Sequence, residues 1–232
     1  MSTPTWTVTF RIRRQKAQGP SYMVDYITTV DPDEYVLDGV ERIWAFRDRS
    51  LVFRHACHHS TCGACGMVVN GVEKLSCITR IRDVTRNHGV LTLEPLRNFP
   101  LVSDLAVDMS RLYATMEQVR FTTVTPSGEP LDEAGHESLQ LVDCIECGLC
   151  VSACPVMATA IDSLGPAPLA AAQHDGAVGA PLIDSDAGLW RCHNSFECSA
   201  VCPSGVDPAA RIMALRRQVL GQQLRRLRWP RK

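Results

Sequence analysis

A chain of 232 residues with 45% hydrophobic composition is long enough to bury sizeable cores, as one large or two small domains. Its net charge of −1 hides an asymmetry, because residues 211 to 232 carry eight basic side chains and no acidic one. The most apolar run, residues 164 to 172, is broken by Pro166 and Pro168 and falls far short of the ~20 apolar residues of a membrane span. The N-terminus reads as a strand and lacks a signal-peptide hydrophobic region, so the chain is expected to be soluble by itself in a reducing compartment. The basic tail is expected to contact a partner or an anionic membrane surface; a solvated amphipathic helix is the alternative.

Residues 5 to 12 alternate, with Trp6, Val8, Phe10 and Ile12 on one face, as in a half-buried strand. Gly19-Pro20 marks a turn. Tyr22, Val24, Tyr26, Thr28 and Val30 alternate again, which predicts a hairpin. After Asp31-Pro32-Asp33, the spacing of Val36, Val40, Ile43 and Trp44 predicts an amphipathic helix.

Cys57, Cys62 and Cys65 follow, with Cys77 further on. Cys-x-x-x-x-Cys-x-x-Cys plus a distant cysteine is the plant-type [2Fe–2S] spacing, and Gly63, Ala64 and Gly66 leave room for backbone to wrap a cluster. His55, His58 and His59 lie in or beside this loop. Four cysteines already complete the ligand count, so these histidines are expected to be structural or solvent-facing. Asn70-Gly71 predicts a tight hairpin, and residues 90 to 93 supply a further strand. Residues 1–104 therefore read as a β-rich, β-grasp domain.

Beyond Asn98-Phe99-Pro100 the periodicity becomes helical. Ser103 is the expected cap of a helix whose stripe is Leu105, Met109, Leu112, Met116 and Val119. A polar loop is expected over residues 125 to 137. The run from Cys144 to Pro155 then has the bacterial ferredoxin form, Cys-x-x-Cys-x-x-Cys-x-x-x-Cys-Pro, with Cys144, Cys147, Cys150 and Cys154. Gly148 and Ala153 are small enough to let backbone N–H groups approach a cluster. An Ala/Pro/Gly-rich stretch, residues 158 to 188, separates this run from Cys192, Cys198 and Cys202-Pro203. Asp207-Pro208 reads as an N-cap and first turn opening a helix to about residue 228. Residues 105–232 thus form an all-α, bacterial-ferredoxin-like domain, and the fold class is α+β.

The eleven cysteines would leave one unpaired in a disulfide framework, and four within eleven residues do not form the separated pairs of a zinc ribbon. Iron–sulfur chemistry remains. A complete second run would carry a cysteine at position 195, where the chain has serine. By the crossover rule of two-cluster ferredoxins, Cys202 joins Cys144, Cys147 and Cys150 on a [4Fe–4S] cluster. Cys154, Cys192 and Cys198 are left as three ligands, suited to [3Fe–4S]; ligation of a fourth iron by Ser195 is the alternative. No dinucleotide fingerprint, phosphate loop or nucleophile triad appears, so no catalytic residue is assigned. The chain reads as a conductor of single electrons between partners.

The two cysteine runs, in this order behind a plant-type [2Fe–2S] domain, resemble those of the iron–sulfur subunit of succinate dehydrogenase/fumarate reductase, respiratory complex II. The resemblance spans nearly the whole chain and includes Gly205-Val206-Asp207-Pro208-Ala209-Ala210 and Leu164-Gly165-Pro166-Ala167. It implies an FAD-containing flavoprotein partner that interconverts succinate and fumarate. It also implies one or more membrane-anchor subunits with or without haem b, and a quinone. Electrons would run from FAD through [2Fe–2S], [4Fe–4S] and [3Fe–4S] to that quinone. The Cys57–Cys65 loop would face the flavoprotein, and Cys154, Cys192 and Cys198 the membrane, on the cytoplasmic face of a bacterial inner membrane. By motif position Pro155 and His193 match residues of the family's quinone site. Val156, Met157, Ala158 and Thr159 stand where ubiquinone-reducing members carry tryptophan, which favours menaquinone. His58-His59-Ser60-Thr61 is unusual beside other members. Another membrane-attached dehydrogenase, or a thiol-dependent fumarate reductase, is the alternative host for the same conductor. A freely diffusing ferredoxin is disfavoured, and no nucleic-acid partner is expected.

Overall fold

The computed structural model describes residues 5–16, 18–119, 144–160, 162–174 and 181–228. Two compact units emerge: Met1–Met109 together with Cys147–Ser152, and Ser110–Glu146 together with Ala153–Lys232. The loop expected over residues 125 to 137 lies outside the described residues.

The first unit is built on strands β1 (Trp6–Arg14), β2 (Tyr22–Val30), β3 (Gly66–Val69), β4 (Val72–Leu75) and β5 (Val90–Glu94), in the order β2-β1-β5-β3-β4. β1 pairs antiparallel with β2 and parallel with β5, while β3 runs antiparallel to both β4 and β5. The alternation read in β1 holds, since Val8, Phe10 and Ile12 are all fully buried. Helix α1 (Val36–Phe46) packs Val36, Val40 and Ile43 into the same core as Phe10, Leu91 and Leu93. Leu37, not Trp44, completes the buried face of α1. Trp44 sits at the rim with Arg49 stacked 4.2 Å over its ring, because an indole tolerates a half-wet edge and a cation. A Cβ on Gly39 of α1 would lie 2.3 Å from Phe10 Cζ, so the helix rests directly on that ring. Asn70 and Gly71 both take positive φ (49° and 86°), as a two-residue hairpin requires. Ile81–Val84 forms the short helix α2.

Ser103 does not cap a helix. Leu101–Ser103 (β6) and Ala106–Val107 (β7) form a small ladder, and the helix α3 starts at Ser110 and ends at Gln118. The cause is Asp104. Its carboxylate is 1% exposed, faces Arg14 Nε at 3.0 Å and accepts the backbone N–H groups of Gln15 (3.1 Å) and Val52 (2.9 Å). That polar knot fixes residues 103 to 105 to the end of β1 and to Val52, and Leu105 and Met109 are buried from non-helical backbone. Leu112 and Met116 do form a buried helical stripe.

Apart from α3, the second unit contains α5 (Pro155–Thr159), α6 (Pro166–His174), a 3-10 turn at Leu189–Arg191, α7 (Glu197–Ala200) and α8 (Pro208–Arg228); α4 (Leu149–Ala153) begins within the segment that groups with the first unit. The Ala-rich stretch is a core element: Ala167, Leu169, Ala170, Ala171 and Ala172 are all buried, and α6 packs along α8. Small side chains allow that close approach. The expected N-cap of α8 is present, with the Ala210 N–H donating to Asp207 Oδ1 at 3.1 Å and Pro208 at the first helical position.

Candidate functional site

In the first unit, the cysteine loop sets backbone N–H groups around sulfur. The N–H groups of His59, Thr61 and Cys62 donate to Cys57 Sγ at 3.5, 3.3 and 3.4 Å. His58, Ser60 and Gly63 take positive φ (62°, 59° and 68°), which curls the chain so that successive N–H groups converge. Donation from His59, then Cys62 and Thr61, holds the Cys57 thiol down at about 6 against a smaller opposing effect of desolvation. A thiolate is what ligates iron, so this loop prepares its ligand in advance. Cys77 behaves oppositely: burial first, then its contact with Cys65, pushes it up to about 12, with Cys57 adding to the same field. Cys57, Cys62, Cys65 and Cys77 are therefore brought together, and Ser76, fully buried, donates its hydroxyl to Cys65 O at 3.0 Å.

The segment Cys147–Ser152 is tied into the same unit. Asn98 Nδ2 donates to the carbonyls of Val151 (2.9 Å) and Ser152 (3.0 Å), and Ser152 Oγ takes the Arg97 N–H and donates to Glu73 Oε1. Gly148 has φ of +77°, and a Cβ there would lie 2.6 Å from Met109 Cε and 2.9 Å from Phe99 Cζ. Its small size is thus required by this packing. Cys150 is buried and Cys147 half-buried.

In the second unit, Cys154, Cys192 and Cys198 line one pocket of about 470 Å³, part of it open to solvent, walled by Leu169 of α6 and Ile212 of α8. Burial first, then the neighbouring Cys154 and Cys192, pushes Cys198 up to about 11. Ser195 lies on the wall of this pocket, as does His193, whereas Pro155 is exposed and is not among the lining residues. Cys144 is pushed up to about 11 by burial and by Cys202, with the Glu146 N–H opposing. All eleven cysteines are free thiols, so the donors suit iron–sulfur clusters: a prepared thiolate loop in one unit, and three thiols around a cavity in the other.

The sequence reading missed Arg216. From α8 it donates to Asn194 Oδ1 (2.9 Å), Leu189 O (3.2 Å) and Cys192 O, pinning the turn that carries Cys192. Arg211 likewise reaches Gln173 Oε1 at 3.2 Å. The basic tail is therefore partly internal, and its legible signal was only the placement of Arg216 between the buried Leu215 and Val219. Arg217 and Arg225 are exposed.

Residues 9–114 match the 2Fe-2S iron-sulfur cluster binding domain family, and residues 140–206 match the 4Fe-4S dicluster domain family. A fumarate reductase iron-sulfur subunit of Mycobacterium tuberculosis is 34% identical over 95% of this chain and 94% of its own. The chain belongs to the succinate dehydrogenase/fumarate reductase iron–sulfur subunit family. The succinate dehydrogenase iron-sulfur subunit of Paracoccus denitrificans is 30% identical, covering 80% of this chain and 76% of that one. A chain of the Mycobacterium smegmatis Sdh1 complex in the apo form superposes with a TM-score of 0.81 at 25% identity, over 95% of this chain and 98% of that chain. The expected α+β class of a 2Fe-2S ferredoxin domain followed by a 4Fe-4S dicluster domain is thereby confirmed, as is membership of an oxidoreductase complex. Among the described residues, no helix of this iron–sulfur subunit is long and apolar enough to cross a membrane.

Proposed function

We propose that this chain is the electron conductor of a succinate:quinone oxidoreductase, with Cys57, Cys62, Cys65 and Cys77 holding [2Fe–2S]. Cys144, Cys147, Cys150 and Cys202 hold [4Fe–4S], and Cys154, Cys192 and Cys198 hold [3Fe–4S]. When bound, these clusters supply one-electron transfer, in that order, between FAD on a partner flavoprotein and a quinone at a membrane-anchor subunit. The observation that carries the reading is the three-thiol pocket with Ser195 on its wall, where a fourth ligand would belong. His193 and Val156 share that wall, which supports a quinone there, and the absence of tryptophan at positions 156 to 159 favours menaquinone. An anchor that carries haem b fits the same arrangement. Exposed Leu220 and Leu224 alternate with exposed Arg217 and Arg225 on α8, a surface suited to an anchor subunit and the cytoplasmic face of a bacterial inner membrane.

EPR of the complex in its source membranes tests the reading. The oxidised state is expected to show a near-isotropic trinuclear signal, and succinate is expected to reduce the binuclear centre in part. The same clusters without any response to succinate would assign the conductor to another dehydrogenase. Ser195→Cys is expected to convert the trinuclear centre to [4Fe–4S]; an unchanged trinuclear signal in that variant would overturn the ligand assignment.

A further inference from the structure

Beside the [2Fe–2S] loop stands a second cluster of donors that electron transfer does not use. Glu41 Oε1 of α1, His55 Nδ1 and His58 Nε2 converge: Glu41 lies 2.9 Å from His55 and 3.2 Å from His58, and the two imidazole nitrogens are 3.3 Å apart. Donors bound at ~2.0–2.1 Å to one ion stand about 3.0 Å apart at octahedral and about 3.3 Å apart at tetrahedral angles. The three separations fall on that range. Glu41 Oε1 is buried, and no group donates to it in hydrogen-bond geometry despite the two nitrogens nearby. A buried carboxylate oxygen left so is costly, whereas a cation set just above the plane of the triangle satisfies all three lone pairs at once.

The arrangement is held from outside. The His55 ring stacks on Phe53 (centroids 5.0 Å apart, 22° between planes), and Phe53 meets Trp44 edge-on. His58 takes φ of +62°, a conformation few non-glycine residues adopt, and it brings the ring to the carboxylate. Side chains of both histidines are 42% exposed, so the remaining coordination positions open to water. Two imidazoles and one carboxylate select a borderline divalent transition ion of the zinc or ferrous type over calcium or magnesium. We propose that Glu41, His55 and His58 form a mononuclear site for such an ion, clamping α1 to the cysteine loop. The inference goes beyond the electron-transfer reading and does not depend on it.

The test uses the full chain loaded with its clusters, dialysed against micromolar Zn²⁺. Metal analysis is expected to find one more zinc per chain in the parent than in Glu41→Gln or in His55→Ala/His58→Ala. The zinc-edge absorption spectrum of the parent is expected to show only nitrogen and oxygen neighbours. Glu41→Gln leaves the cysteine loop untouched, and an unchanged reduced [2Fe–2S] EPR signal confirms that it is folded. Equal zinc uptake by parent and Glu41→Gln, or sulfur in the zinc's first shell, would overturn the proposal.

Discussion

The two units combine cysteine and core in opposite ways. In the first, Val8, Phe10, Ile12, Val40, Ile43, Leu91 and Leu93 fill a closed centre, and the loop bearing half-buried Cys57 and exposed Cys62 hangs at its margin. In the second, Cys154, Cys192 and Cys198 line a cavity whose walls include Leu169 and Ile212, residues of the two helices that pack together. The first unit therefore owns a core that exists without iron. The second packs α6 against α8 beside the three-thiol pocket, so on the proposed cluster assignment part of the free energy of metal binding there is also free energy of folding. The titration of the cysteines cuts across that division. Backbone donors hold Cys57 at about 6, whereas burial raises Cys77 of the first unit to about 12 and Cys198 of the second to about 11, so buried thiols in both units must release protons as iron enters.

Iron removal under reducing conditions should separate the units most strongly. Amide exchange is expected to lose protection throughout α6 and α8 while β1 and β5 keep theirs; equal loss in both would dissolve the contrast. Next in size, Asp104→Ala strikes the first unit alone. It leaves two backbone N–H groups without their acceptor and takes away one of the two carboxylates facing Arg14, which keeps Asp48, Tyr26 and Ser50. The expected cost is about 2–4 kcal/mol in the unfolding free energy read from the denaturant transition of the sheet.

Asp48→Asn sharpens the comparison further. The Ser50 and Tyr26 hydroxyls and the Arg14 guanidinium hold the Asp48 carboxyl well below its usual range. A depressed carboxylate adds stability that is present above its unfolded value of ~3.9 and is lost as pH falls through the lower folded value. The substitution is expected to cost about 1.5–3 kcal/mol, by the same amount at pH 6 and pH 8. A gap that changed across that window would mean the carboxylate is not the charged partner. The smallest effect is expected from Arg216→Ala. It releases the carbonyls of buried Leu189 and half-buried Cys192, both only part-buried contacts, so the cost is about 1 kcal/mol. That variant should nonetheless lose its trinuclear EPR signal faster on dilution, with the binuclear signal unaffected.

Much of this was legible because it is local. The alternation of Val8, Phe10 and Ile12, the positive-φ turn at Asn70-Gly71 and the Asp207-Pro208 helix start each depend on residues within a few positions. Cysteine spacing is also local chemistry, since tight turns present thiols at fixed intervals. Other features were hidden by distance along the chain. Asp104 overrode the helical pattern of Leu105 and Met109 by reaching back to Arg14 and Val52. Trp44 sits at the rim instead of in the buried stripe, with its ring under Arg49 from beyond the helix. The Ala-rich stretch shows no apolar stripe of its own, and its place in the core follows from α8 packing along it.

By itself, the sequence determined the class, the two cysteine patterns and the serine at position 195, all of which follow from residue identity at short range. Only the tertiary structure decided that Arg216 serves the Cys192 turn, that Ser195 and His193 share a wall with three thiols, and that Glu41 meets two histidines. Arg216 stands 24 positions from Cys192, Ser195 41 from Cys154 and Glu41 14 from His55, and these meetings are fixed by helix packing and loop curvature that no local pattern encodes.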